Sequence, residues 1–477
     1  MIQNIPAQVE ETFNHLKEKE DGYLQLRNIS GRWYVQQATS VWDKVEKKPK
    51  KITTHLGTIM ENGEFKPKTP RYKLPITDRE IFEYANGRLA YHFLKDVHKM
   101  LDRYTPYADE LIAMAFIWAI DPQPLRLHPS RWQKLYLSKE FNVTVTPKHL
   151  SNVLKQTGQG KGWWHGLFTD LIDTDDLLLY DLTSVFSRSQ NIKRAEKGYN
   201  PGKLYIDQLG VVLAFSTATN LPAGVEVFWG SMKDITTFKD FLDMLEPENV
   251  GFIVDRGLVS KKLTQDFQEE GVNYVFPLRK NSKLIDLRWL RWQEPFIYRE
   301  RAVRWARRHT DLGTLYLFED PELRGEQKKA LMRKRANGEI SMGKYEKKQK
   351  VAGIIAILSD LDRSGTEIYD LYKGRHDVEL AFDAMKNYLD ADKTYMQSDD
   401  AVRGYFFVTF LALRVYFGVL TRLRQADKTS KISVHEVFYE LSKVERVIGL
   451  EGKEFYAKIP KQARKIVDLF PEALPMA

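Results

Sequence analysis

Leu177-Leu178-Leu179-Tyr180-Asp181-Leu182-Thr183 opens the part of the chain from which its architecture can be read. Four apolar residues in a row, with no polar alternation, read as a strand buried on both faces. An acid follows at once. A second strand is predicted over Gly210 to Thr217 and a third over Gly224 to Trp229, and Ile235–Leu245 then has the spacing of an amphipathic helix. The opening pattern recurs in Gly251-Phe252-Ile253-Val254, an apolar run that ends at Asp255-Arg256-Gly257. A helix from about Ser260 to Glu270 and a strand at Asn273–Pro277 follow. Three consecutive strands, then helix and strand in alternation, predict an α/β domain around a mixed sheet.

On the C-terminal side of these elements, residues 281–350 carry 18 Lys/Arg against 10 Asp/Glu, a net of +8, while the whole chain of 477 residues is +9. One basic segment therefore holds nearly all the imbalance, and clustered positive charge points to a polyanion. Beyond it, Val351–Leu358 resumes as a strand and a long helix is predicted from about Thr366 to Leu389. In the other direction, Tyr23-Leu24-Gln25-Leu26 and Trp33-Tyr34-Val35-Gln36-Gln37 read as strands around a Ser30-Gly31 turn. Lys44, Lys47, Lys48, Lys50 and Lys51 are either a solvated hairpin tip or a phosphate grip. From Asp78 the pattern turns helical, with Asp78 as a cap for Ile81, Phe82, Tyr84 and Ala85. Further helices are expected at Asp109–Ile120, Ser130–Phe141 and Thr146–Gln156, the last with Thr146 as cap and Pro147 in the first turn. Short helices ahead of a catalytic domain suggest a module that reads DNA ends, helix-turn-helix-like in kind.

Hydrophobic content of 43%, with 12% aromatic, excludes wholesale disorder. With no cysteine there are no disulfides and no thiolate metal sites, which fits a cytoplasmic protein. The first residues lack the charged-then-apolar pattern of a signal peptide. The apolar run Tyr405 to Leu420 is interrupted by Arg414 and flanked by Arg403 and Arg422, so a buried helix is expected there and no membrane partner.

Asp181 and Asp255 each stand at the end of an apolar strand, where an open α/β sheet presents its functional groups. An isolated Asp in that place is ordinarily a turn residue, and the pair alone names no reaction. The helix after Thr366 adds more. Tyr372, Arg375, Glu379 and Lys386 are separated by three, four and seven residues, and at roughly 100° per residue they fall within about 60° of one another. One face thus offers a phenol, a guanidinium, a carboxylate and an ammonium. It can equally be a solvated ladder of ion pairs, although Leu371, Val378, Phe382 and Met385 beside it offer shelter.

The order Tyr372-x2-Arg375-x3-Glu379-x6-Lys386 resembles the Y-R-E-K signature of DDE transposases of the insertion-sequence-four kind. Tyr180-Asp181-Leu182-Thr183 is similar to the first acid motif of that family and Val254-Asp255-Arg256-Gly257 to the second, and the strand-then-helix leader resembles one of its branches. The resemblance runs from about Leu177 to Asp390. It implies an RNase H-like mixed-sheet catalytic core interrupted by a β-rich insertion, with an N-terminal β-then-helical region and a helical C-terminus. On this reading 1–75 is a β-rich leader, 76–170 a helical end-binding region, 171–280 and 351–395 the two parts of the core, 281–350 the basic insertion, and 396–477 a helical brace. Asp255 and Glu379 are 124 positions apart, which accommodates the insertion.

The family likeness further implies that Asp181, Asp255 and Glu379 hold two divalent ions, Mg²⁺ with Mn²⁺ as a substitute, because hard cations take oxygen ligands. Tyr372, Arg375 and Lys386 would hold phosphates. Arg301, Arg304, Arg307 and Arg308 with Trp305 in the insertion are candidates for DNA contact, and each Trp can equally pack a small β core. The implied activity is cut-and-paste transposition on double-stranded DNA, at terminal inverted repeats and target, by a homodimer in the end complex on the nucleoid. The rival expectations are a transposase-derived DNA-binding protein without catalysis and a non-transposing RNase H-fold nuclease.

Overall fold

An apolar strand buried on both faces needs a hydrogen-bonded partner along each edge, and the Leu177 segment has both. The computed structural model describes residues 5–19, 22–29, 31–43, 48–68, 79–198, 206–232, 234–245, 250–391, 396–449 and 452–475. Asp78, Lys44 and Lys47 lie outside them. The strands of the main sheet are β1 (Leu177–Phe186), β2 (Asp207–Ser216), β3 (Pro222–Trp229), β4 (Gly251–Ile253), β5 (Tyr274–Pro277), β6 (Phe296–Tyr298), β7 (Arg301–Thr310), β8 (Gly313–Glu319) and β9 (Ile354–Ser359), with a two-residue strand at Glu196–Lys197 on the edge of β2. β1 pairs antiparallel with β2 and parallel with β4, β4 is parallel to β5, and β3 pairs antiparallel with β2. The first five strands therefore lie in the order β3-β2-β1-β4-β5, the mixed RNase H-like sheet expected from the sequence.

β5 continues antiparallel into β9, which pairs with β8, then β7 and β6. The strands of the basic segment therefore extend the core sheet instead of forming a separate one. After Glu319 the segment is helical.

The helices around this sheet are α1 (Ala85–Tyr104), α2 (Ala108–Ile120), α3 (Pro147–Gln159), α4 (Lys161–Asp170), α5 (Asp234–Leu245), α6 (Lys261–Glu270), α7 (Pro321–Ala336), α8 (Met342–Lys350), α9 (Gly365–Gly374), α10 (His376–Asp383) and α11 (Asp399–Gln425). Local chemistry starts several of them. Thr146 accepts from the His149 amide and Pro147 occupies the first turn of α3, Ser260 accepts from the Leu263 amide for α6, and Ser364 with Glu367 forms a capping box for α9. Gly271, at φ +70°, closes α6 in the left-handed conformation that favours glycine.

α11 is long and apolar enough to cross a membrane, yet 78% of its most apolar window is buried inside the protein, against α2, α3 and β3. Of its two interior arginines one is paired with a carboxylate and the other is met by a backbone carbonyl. Arg403 donates to both oxygens of Glu226 at 2.8 and 2.7 Å, and Arg414 donates to the Pro222 carbonyl.

α7 and α8 form a helical arm inserted between the directly paired strands β8 and β9. Neither helix buries a residue. Residues 321–350 hold 10 Lys/Arg and 4 Asp/Glu, so +6 of the +8 noted above sits on this arm.

The chain divides into two compact units, Met1–Arg79 and Glu80–Ala477. In the first, the expected strands form an antiparallel sheet of Tyr23–Ile29, Arg32–Asp43, Lys48–Ile59 and Phe65–Pro67. Lys48, Lys50 and Lys51 are exposed residues of the third strand. A helix at Ala7–Lys19, additional to the expected strands, lays Val9 and Phe13 on that sheet beside Leu24, Trp33, Val35 and Ile59.

Three local expectations are corrected. Glu80–Glu83, expected to begin a helix, is a strand paired with Glu445–Ile448, a partner far away in sequence, and α1 starts only at Ala85. Ser130–Phe141 is not one helix but a short turn of helix at His128–Trp132 followed by a tight turn at Tyr136–Lys139. The helix expected from Thr366 to Leu389 is broken into α9, α10 and a π turn over Ala384–Tyr388. At the first break, next to Gly374, the Arg375 and Val378 amides bond three residues back, to Tyr372 and Arg375. In the π turn the Leu389 amide bonds five residues back, to Ala384.

Candidate active site

Pairing register places the two aspartates. Leu179 of β1 sits opposite Ile253 of the parallel β4, and Asp181 and Asp255 each lie two residues further on. Neighbouring strands are about 4.8 Å apart, so the acids emerge side by side from the same edge of the parallel stretch. Asp181 departs from expectation in one respect. It is the fifth of ten residues in β1 and not its end, because the antiparallel β2 keeps pairing to Phe186, with Asp181 opposite Leu213. The parallel pairing does end before it.

Both side chains are partly held by backbone. Asp181 Oδ1 accepts from the Leu182 amide at 3.0 Å, and Asp255 Oδ2 accepts from the Gly257 amide at 3.0 Å. Arg375 donates from Nη1 to Asp255 Oδ1 at 2.8 Å. Burial pushes the Asp181 carboxyl up to about 6, with the negative charges of Asp255 and Glu379 adding to the rise and Arg375 and the Leu182 amide opposing it. For Asp255, burial also pushes upward but is outweighed by the Gly257 amide, Arg375 and the Arg256 amide, and its carboxyl lies below the usual range. Asp181, Asp255, Arg375 and Glu379 thus share one electrostatic site.

Glu379 is the loosest member. Its side chain is 59% exposed, with Oε2 3.5 Å from His376 Nδ1. Among the described residues no three His, Asp or Glu side chains close around a point where an ion would sit. The donor set nevertheless fits hard cations. It is all oxygen, and a half-buried carboxyl raised by burial and further by two neighbouring acids is what an added positive charge would relieve.

The breaks in the helix decide where the other polar groups go. Tyr372, at the end of α9, is half-buried, and burial raises its phenol, with Arg375, Arg256, Asp255 and Glu379 all near enough to act on it. The π turn aims Lys386 at β1, where its Nζ donates to Thr183 Oγ1 at 2.6 Å, two residues from Asp181. The four side chains therefore do not lie on one straight helical face. Arg375, at the first break, reaches Asp255, and Lys386, in the π turn, reaches Thr183 beside Asp181.

The arginines of the basic segment are dispersed. Arg301 faces Asp320 at 3.2 Å, with Glu322 and Glu326 at 3.5 and 3.6 Å, and Arg304 pairs with the buried Glu319. Arg304 also covers the Trp292 ring at 4.4 Å, Arg308 covers Trp289 at 5.0 Å, and Arg307 lies 3.8 Å from Asp362. Trp305 is half-buried, stacked on Tyr316 at 6.3 Å and pressed against Gly365, where a Cβ would meet its ring at 2.1 Å.

Of these arginines, Arg301 alone reaches the acids' neighbourhood, as part of a groove of about 400 Å³ that it lines with Arg299, Tyr369, Tyr372, Lys373 and Glu379 among others. Arg299, Lys373 and Tyr298 were not singled out by sequence reasoning. Their only signal was proximity in sequence to Arg301 and Tyr372.

With this geometry in place, comparison with known proteins adds three findings. A family described as "Transposase DDE domain" matches residues 119–414, more than half of the chain. No curated protein matches the chain. Among solved structures it is similar, at 12% identity over 77% of each chain and a TM-score of 0.40, to a piggyBac transposase in a synaptic complex with hairpin DNA.

Proposed function

Since the chain belongs to the family of transposase DDE domains, we propose that it excises and inserts an insertion sequence by cut-and-paste, with Asp181, Asp255 and Glu379 as its catalytic acids. The observation that carries this reading is the register-matched pair of aspartates, bound by Arg375 and within electrostatic reach of Glu379. Asp181, Asp255 and Glu379 are the residues that would hold the ions. When bound, two Mg²⁺ (or Mn²⁺) activate the attacking oxygen and stabilise the leaving one.

The chain's own residues do the rest. Arg375 and Lys386 flank the acids and draw the scissile phosphate toward them, the first by its fork and the second as a point charge. Tyr372 offers its hydroxyl to the same backbone. Water adds to phosphorus and the bond to the 3′ oxygen breaks, leaving a 3′-hydroxyl and a 5′-phosphate. That hydroxyl then attacks a phosphorus of target DNA and displaces a 3′ oxygen there. Two element ends must meet for this, so two copies of the chain act together.

A second reading, a DNA-binding descendant that no longer cleaves, has one observation in its favour: Glu379 is exposed and the three acids do not close around a point. One experiment separates the two. Full-length protein is incubated with duplexes carrying the terminal repeats that flank its coding sequence, with Mg²⁺ or Mn²⁺, and the products are read on a denaturing gel. Cleavage is expected for the parent, and binding without cleavage for Asp181→Asn, Asp255→Asn and Glu379→Gln. Binding without cleavage by the parent itself would favour the second reading, and unimpaired cleavage by any variant would remove that residue from the set.

A further inference from the structure

Four strong cations line the groove beside Glu379, and they differ in how they are paired. Arg301 is taken up by Asp320, Glu322 and Glu326, and Arg375 by Asp255. Among the described residues, Arg299 and Lys373 have no carboxylate within 4.0 Å and no hydrogen-bond acceptor. Lys373 is surrounded by aromatic faces instead, with its ammonium 5.2 Å from the Tyr369 ring centroid, 5.9 Å from Tyr298 and 6.0 Å from Tyr372. Burial lowers its pKa, opposed only in part by the charge of Asp320, which Arg301 already engages, so the ammonium has given up water without a direct anion contact. Lys373 lines the groove.

Arg299 is held there by an unfavourable backbone. β6 and β7 are joined by only Arg299 and Glu300, with Tyr298 directly opposite Arg301. Both linking residues have positive φ, +46° and +69°. Such a turn is ordinarily made by Asn and Gly, and larger side chains are strained in that conformation. The tip is pinned to α9 by Tyr298 and Phe296, which meet Tyr369 edge-on at 5.2 and 5.4 Å. A guanidinium is thereby carried on a strained, anchored turn to the mouth of a groove that already contains an unpaired ammonium.

We propose that Arg299 and Lys373 form a second phosphate subsite, which grips a backbone phosphate next to the scissile one in the strand being cut, with the tyrosine rings as walls for its sugar. The proposal rests on the transposase reading, because it takes the acids beyond Glu379 to be the place of cleavage. A guanidinium fork with an adjacent point charge suits the tetrahedral oxygens of a phosphodiester.

The test uses full-length protein and terminal-repeat duplexes in which single phosphates within a few nucleotides of the cut are replaced by neutral methylphosphonates. For the parent, neutralising one such phosphate is expected to weaken binding roughly tenfold. Lys373→Gln and Arg299→Gln are expected to weaken binding to a similar degree, to make the dependence of log affinity on log salt shallower by about 1, and to become insensitive to the methylphosphonate at that position. Lys373→Arg should restore the parent's salt dependence, which a role in folding alone would not. If the Gln variants bind like the parent and keep its methylphosphonate profile while the parent cleaves normally, the subsite is wrong and the transposase reading stands. If the parent neither binds nor cuts these duplexes, both fall together.

Discussion

Replacing Asp181 by Asn separates the charge of this side chain from its size. In the folded protein its carboxyl titrates at about 6 against an ordinary 3.8, chiefly because of burial and then because of Asp255 and Glu379. Between those values the folded state keeps a proton that the unfolded chain has released, so stability falls as pH rises across that window. Below about pH 4 no penalty exists, and above about 6 it is complete. About two pH units at about 1.4 kcal/mol each comes to about 3 kcal/mol, and because the side chain is only partly buried, screening by water reduces this to about 2 kcal/mol. Asn carries no charge and lacks the slope. Asp181→Asn should therefore match the parent near pH 4 and exceed its stability by about 2 kcal/mol at pH 8. Urea unfolding, followed by tryptophan fluorescence at fixed ionic strength across this pH range, measures the difference. Added Mg²⁺ should narrow the gap at pH 8 by stabilising the parent alone. A difference independent of pH would refute the claim that this carboxyl is held at a cost.

Two further outcomes follow from the packing and the charge distribution. Trp305→Ala removes a ring wedged between Tyr316 and Gly365 and should cost about 2–3 kcal/mol, lowering nicking and strand joining alike through loss of folded protein. Normal stability with a selective loss of one step would instead make the ring a DNA contact. On the helical arm, replacing Lys344, Lys347, Lys348 and Lys350 by Gln should weaken DNA binding and make its salt dependence shallower by roughly 0.9 for each phosphate no longer neutralised, while the cleavage rate of bound DNA persists. An unchanged slope in a binding titration would show that the arm does not touch DNA.

Most of the element order was legible in the sequence because it is written in short-range patterns. The apolar runs at Leu177 and Gly251, the cap at Thr146 and the period of α5 each depend on residues within a few positions of one another. The likeness to DDE transposases was legible for the same reason, as spacing. Expectation failed where a distant partner overrode local preference. Glu80–Glu83 looked helical and became a strand because Glu445–Ile448 was there to pair with it.

Local order along the chain was enough to say that an aspartate follows each of two apolar runs, whereas their emergence side by side was set by the register of β1 against β4. What those groups experience came from the fold. Arg375 reaches Asp255 across 120 positions and Lys386 reaches Thr183 across 203, the second through a π turn that no straight-helix projection contains. Arg301 and Arg304 looked as available as any arginine until Asp320 and Glu319 took them, while Lys373, unremarked in the sequence, has no carboxylate within 4.0 Å among the described residues. Spacing records which side chains a chain carries. Which charges remain uncompensated depends on Coulomb and desolvation energies over a few ångströms, and only the folded arrangement sets those distances.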